Sequence, residues 1–239
     1  MMDKVKLDYE LKIDYAKLFH PTWQYKLHHL LKSNYMYNIM AFIHELYNSS
    51  DFPRPSKSVI FEAFKKVPLP NVQVVILTDE PINNIQGNGI AFATKESMLL
   101  KPSMITEAVE KCIERSIYGG CRPGFDLTLE HWLNQGVLPI HASLTTRFLK
   151  KGSHIKLWGE FTRTVIKTLD SRPPGLIFIL LGDEAKKFKP LISETNHYVL
   201  EYYAPVVAVK QKLDWKCPCF KRANDILISN NGHSAAIEW

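Results

Sequence analysis

The stretch Val74-Val75-Ile76-Leu77-Thr78-Asp79-Glu80-Pro81-Ile82-Asn83 decides the fold. Its four leading apolar residues predict a short buried strand. Two acids, a proline and an amide then end that strand abruptly. In a parallel α/β sheet, ligands collect beyond the carboxyl ends of the strands, where the loops converge on one crevice. A carboxylate at that point, Asp79 or Glu80, is a candidate base or electrostatic stabiliser.

Upstream, Leu27, Leu30, Leu31, Tyr35, Ile39, Phe42, Ile43 and Leu46 recur at helical steps after Pro21-Thr22-Trp23. The helix stops at residues 48–51, ahead of Pro53 and Pro55, and a short amphipathic helix follows over 58–66. Downstream, a turn-rich loop over 84–89 leads to Ile90-Ala91-Phe92. Pro102-Ser103 then starts a helix that buries Ile105, Val109 and Ile113. Further helices are expected over 127–135, 158–169, 185–191 and 220–228. Strands are expected at 137–140, with His141 just past the end, at 175–182 and at 198–203. Alternating strands and helices with short loops predict an α/β fold. The expected architecture is a three-layer sandwich with a central four-stranded parallel sheet flanked by helices. One domain is expected over 1–239, with a helical N-terminal part over about 1–57.

With 46% hydrophobic and 23% charged residues, the chain reads as an ordinary soluble protein rather than a disordered one. No segment reads as a signal peptide or a membrane span, so a cytoplasmic location is expected. The net charge of +6 permits nucleic-acid contact without showing it. Lysine groups at 65–66, 150–151, 186–187 and along 210–222 read equally well as solvated surface. Cys112, Cys121, Cys217 and Cys219 lack C-x-x-C spacing. Free thiols are therefore expected, and neither a metal nor a cofactor.

Several blocks, in one order, resemble the family-1 uracil-DNA glycosylases from about Leu18 to the C-terminus. They are PTW (21–23), IFEAF (60–64), VPLPNVQVVIL (67–77), GIAF (89–92) and KPSMITEAVE (101–110). FDLTLEHWLNQGVLPI (125–140), WGEFTRTVI (158–166), GLIFILLGDEAKK (175–187) and CFKRANDIL (219–227) continue the likeness. The resemblance implies a glycosylase-type fold and, given the departures below, a source such as a virus, phage or mobile element. A eukaryotic virus would place the protein in the nucleus.

The departures fall on the family's catalytic blocks. Its GQDPYH motif reads TDEPIN here, which puts Glu80 at the water-holding aspartate, Ile82 at the tyrosine that excludes thymine and Asn83 at the histidine. Its HPSPLS motif reads APVVAV. There Ala204 stands at the histidine that stabilises the leaving base, Pro205 is kept, Val206 replaces a phosphate-binding serine, and Ala208 replaces the leucine wedged into the duplex. His141 falls on the uracil-reading asparagine. Asp183, after Gly182, falls on a phosphate-gripping serine, and Pro102 and Ser103 form the proline-serine loop. Of the residues that touch the base in the family, only Phe92, at the base-stacking position, keeps the family's residue type.

Coordinated losses at cooperating catalytic groups leave little activity. The resemblance therefore implies a catalytically inactive homologue with no functional catalytic residue. Such a protein would act by macromolecular binding, through an acidic inhibitor-type protein, a replication protein or weak non-specific DNA contact, as a monomer off the membrane. Two alternatives stand beside it. One is a glycosylase with residual or altered base-excision activity using Glu80. The other is a decoy or partner for a DNA-mimic inhibitor protein.

Overall fold

A computed structural model describes residues 13–49, 52–81, 87–95, 102–120 and 124–239. The expected N-terminal helix is three pieces: α1 (Pro21–Lys26), α2 (His28–Leu31) and α3 (Asn34–Tyr47). The breaks have local causes. Leu27 leaves helical geometry at ψ 10°, and the Ser33 hydroxyl accepts the Met36 N–H and restarts the chain as α3. Strand β1 (Pro53–Arg54) and helix α4 (Glu62–Lys66) precede β2 (Val74–Thr78).

Helix α5 (Met104–Ile117) begins where Ser103 accepts the Thr106 N–H, as the sequence predicts. Helix α6 (Glu130–Asn134) is shorter than expected because Leu129 is left-handed, at φ 59°. The residues before it are held as a turn, with Asp126 accepting both the amide and the hydroxyl of Thr128.

Strand β3 (Val137–His141) takes in His141 as its last residue rather than leaving it beyond the end. β4 (Thr146–Arg147) pairs antiparallel with β1, a ribbon too short to register in the sequence pattern. Helix α7 (Ile155–Asp170), β5 (Ile177–Leu181) and α8 (Asp183–Lys186) follow; a 3-10 turn at Lys189–Leu191 takes up the rest of the helix expected over 185–191. The chain ends through β6 (Tyr198–Tyr202), α9 (Pro205–Lys210) and α10 (Cys219–Asn231).

The four long strands form one parallel sheet in the order β3-β2-β5-β6, flanked by helices. β2, β3 and β5 are buried at every position, as continuous apolar strands covered on both faces must be. β6 is the edge: of its five residues only Leu200 is buried, and Glu201 pairs with Lys189 at 2.7 Å. An aromatic cluster of Phe19, Trp23, Phe61, Phe64 and Phe161 packs within the core, with Phe64 edge-to-face against Trp23 and Phe161 and Phe19 tilted on Phe61, and the Trp23 indole donates to the Val67 carbonyl at 2.8 Å. Among the described residues no helix is long and apolar enough to cross a membrane.

Cys112, Cys217 and Cys219 are buried free thiols, and the Cys112 sulfur accepts the Cys217 N–H at 3.3 Å. Cys121 lies outside the described residues. Among the described residues no cluster of histidine, cysteine and acidic side chains is arranged to hold a metal ion.

Candidate active site

The strand register sets the site. Thr78 of β2 lies beside His141 of β3 and Leu181 of β5, and Leu181 lies beside Tyr202 of β6. All four strands therefore stop on one level, and the residues past it meet in a cavity of about 380 Å³. That volume is typical of small-molecule pockets, about 300–1,000 Å³. Thr78, Asp79, Glu80, Pro81, Phe92, His141, Ala204, Pro205 and Val206 line it, joined by Ile105, Thr146, Leu149, Lys151 and Lys210.

Asp79 and Glu80 take different roles although they are adjacent. One Asp79 carboxylate oxygen accepts the N–H groups of Glu184 (2.9 Å) and Ala185 (3.1 Å) and so ties the β2 loop to the first turn of α8. Burial raises the Asp79 pKa above the usual carboxylate range, while those two N–H groups and Lys151 oppose the shift. Gly182 makes room for this contact, since a Cβ there would lie 2.4 Å from the Asp79 carboxylate. Glu80 instead extends to the opposite loop, where its carboxylate accepts the Gly152 N–H at 2.8 Å. A backbone donor orients this charge without neutralising it.

His141 is 5% exposed, and its Nδ1 lies 2.6 Å from the Thr78 hydroxyl. Burial pushes its pKa down to about 3, so the imidazole is neutral at ordinary pH. The unfolded chain takes up a proton near pH 6.5 that the folded site refuses. Stability from this group is thus complete above about pH 6.5 and falls by about 1.4 kcal/mol per pH unit below it, until pH approaches 3. Urea unfolding across that range should show a shallower acid-side loss for His141→Gln than for the parent. Equal slopes would remove His141 as the cause.

Phe92 is 3% exposed and left-handed at φ 71°, with its carbonyl accepting the Thr106 hydroxyl at 2.8 Å. It packs toward Trp215 and still forms part of the cavity wall. A strained backbone at a cavity wall is a frequent mark of a functional position.

The remaining expected positions divide. Ala204 and Pro205 are buried on the cavity wall, at the start of α9, and Val206 beside them is half-buried. Ala208 is buried at 1% exposure within α9 and does not reach the cavity. Ser103 is spent capping α5, while Pro102 and the exposed Asp183 lie outside the lining. Ile82 and Asn83 fall outside the described residues. The sequence missed Lys151, Lys210, Thr146 and Leu149 as site residues. The two lysines had been visible only as members of basic groups, which carry no address.

No family model matches the chain. Among curated proteins, it is 32% identical over 212 residues to a uracil-DNA glycosylase of Amoebophilus asiaticus, covering 88% of this chain and 94% of that one. The chain belongs to the uracil-DNA glycosylase family. A uracil-DNA glycosylase of Francisella philomiragia is 35% identical over 180 residues, 74% of this chain and 81% of the relative. The fold agrees with the crystal structure of mimivirus uracil-DNA glycosylase, with a TM-score of 0.76 at 19% identity over 92% of this chain and 87% of that one. A variant of the mimivirus enzyme in complex with UGI superposes with a TM-score of 0.77 at 19% identity, over 95% and 91% of the two chains.

These relatives overturn the expectation of a catalytically inactive homologue that works by macromolecular binding. Proteins about a third identical over most of their length are named as enzymes. The expectation treated each departure from the family motif as a deletion in an otherwise fixed site. The site is instead lined by groups the motif comparison did not score, among them Lys151, Lys210 and Leu149.

Proposed function

We propose that this glycosylase-family chain releases uracil from DNA, with Glu80 as the carboxylate of the reaction. The observation that carries this reading is Glu80 itself, a charged group on the wall of the strand-end cavity, held by the Gly152 N–H at 2.8 Å. Breaking an N-glycosidic bond leaves positive charge on the sugar and negative charge on the departing base. A carboxylate fixed beside the sugar stabilises the first charge, most strongly where water is excluded. Its second oxygen is the acceptor for a proton of the attacking water.

His141 serves the second charge. With Nδ1 taken by Thr78, Nε2 is the ring nitrogen left for the base. As an N–H it donates to a uracil carbonyl oxygen and stabilises the leaving anion, which the methyl group of Ala204 cannot do. Phe92 supplies apolar wall, and Lys151 and Lys210 bring positive charge to the phosphates.

The test is release of free base from a single-stranded oligonucleotide holding one uracil, with the duplex form run beside it. Release well above the buffer control, lost in Glu80→Ala, is expected. No release from either substrate overturns the reading.

A second reading concerns protein partners. Variants of the mimivirus enzyme, which has the same fold, are seen in complex with UGI, and the lysines at this cavity suit an acidic partner that competes with DNA. Co-elution with UGI on size exclusion, suppressed by excess DNA, is the expected result.

A further inference from the structure

Leu149 is the most exposed large apolar residue beside the cavity, at 78%, and it also forms part of the cavity lining. Its backbone is left-handed, at φ 58°, which a leucine adopts only against steric resistance. Leucine here has neither burial nor a relaxed backbone to account for it.

The turn that presents it is firmly built. Lys150 N–H donates to the Arg147 carbonyl (3.1 Å), the Thr146 hydroxyl to the Lys150 carbonyl (3.2 Å), and Arg147 N–H to the Ser153 hydroxyl (2.8 Å). Gly152 in the same turn holds the Glu80 carboxylate. Phe148, 43% exposed, stands beside Leu149 under the Arg54 guanidinium, and Lys150 and Lys151 follow, both exposed. An apolar tip on a rigid turn flanked by cations matches a bent or opened duplex, whose stack takes the apolar group while its phosphates take the charges.

We infer that Leu149 is the wedge of this protein: it enters the duplex and fills the gap left by a nucleotide that has swung into the cavity. The inference rests on the base-excision reading and adds how the base is reached. Extruding a base costs unstacking energy, and an inserted side chain replaces part of the lost packing. Ala208, at the family's wedge position, is buried and ends at its Cβ. Val207, 40% exposed on α9, is the nearest competitor in that segment, but it does not line the cavity.

The test uses a duplex in which 2-aminopurine neighbours 2′-fluoro-2′-deoxyuridine, so that extrusion is read by fluorescence without any chemistry. The parent and Val207→Ala should raise the fluorescence, whereas Leu149→Gly should lose most of the rise. Glycine suits the left-handed backbone, so this variant is expected to keep its melting temperature. In parallel, the ratio of duplex to single-stranded uracil release should fall about tenfold or more for Leu149→Gly.

A Leu149→Gly protein that matches the parent in fluorescence overturns the inference. So does loss of the signal in Val207→Ala instead, or a parent that gives no rise on the bound duplex. Failure of the parent to release uracil from either strand form would count against the catalytic reading alone, because the fluorescence does not depend on cleavage.

Discussion

Replacing Glu80 by glutamine is expected to lower the single-turnover rate of uracil release from single-stranded DNA by a hundredfold to a thousandfold, or about 3–4 kcal/mol of barrier. The substitution isolates charge from geometry. A glutamine carbonyl oxygen can accept the Gly152 N–H that Glu80 accepts at 2.8 Å, so the side chain keeps its place and loses only its negative charge. DNA affinity should hold or rise slightly, since a carboxylate near phosphates is removed. Glu80→Asp asks the opposite question. It keeps the charge, withdraws it by one methylene and gives up the Gly152 contact, and misplacement of about an ångström can cost about a hundredfold. If glutamine retained most of the activity, the reacting carboxylate would have to be sought at Asp79, and Asp79→Asn would be the next measurement.

The largest effect on stability is expected at Gly182. Its φ of 109° lies where L side chains are strained, and an added Cβ would sit 2.4 and 2.5 Å from the two Asp79 carboxylate oxygens. Relief by moving Asp79 would break its bonds to the Glu184 and Ala185 amides and leave a half-buried charge without them. Gly182→Ala should therefore lose about 2–4 kcal/mol in urea unfolding, from backbone strain together with the broken contact. In the double variant with Asp79→Ala the clash is gone but the backbone strain remains. The double variant should thus be more stable than the sum of the single losses allows, a coupling of about 1 kcal/mol or more. Strict additivity would mean that Gly182 and Asp79 do not act as a pair.

Much of the scaffold was legible in the sequence because it follows from local pattern. The runs at 74–77 and 177–181 can be little else but buried parallel strands, and Ser103 announces α5 by its place before an amphipathic period. What stayed hidden depends on single dihedral angles and on distant pairing. Leu129 looks helical by type but is left-handed, and β1 and β4 are two-residue strands that exist only through each other. The site divides the same way. Glu80 and His141 could be found because they stand at or just past strand ends. Leu149, Lys151 and Lys210 could not, since a turn after β4 and the last residue of α9 reach the cavity only through the tertiary fold. Inactivity does not follow from the missing family groups alone, because other residues on the cavity wall, Lys151 and Lys210 among them, bring charge of their own.

The level ending of the four strands has a consequence for how such a protein can change. The rung formed by Thr78, His141, Leu181 and Tyr202 is aligned by main-chain pairing, which any non-proline residue can supply. The groups on and just past that rung are thus replaceable one at a time while the platform beneath them stays where it is. The sheet works as a socket and the loops as interchangeable fittings, so the identity of the fittings says little about whether the socket still works.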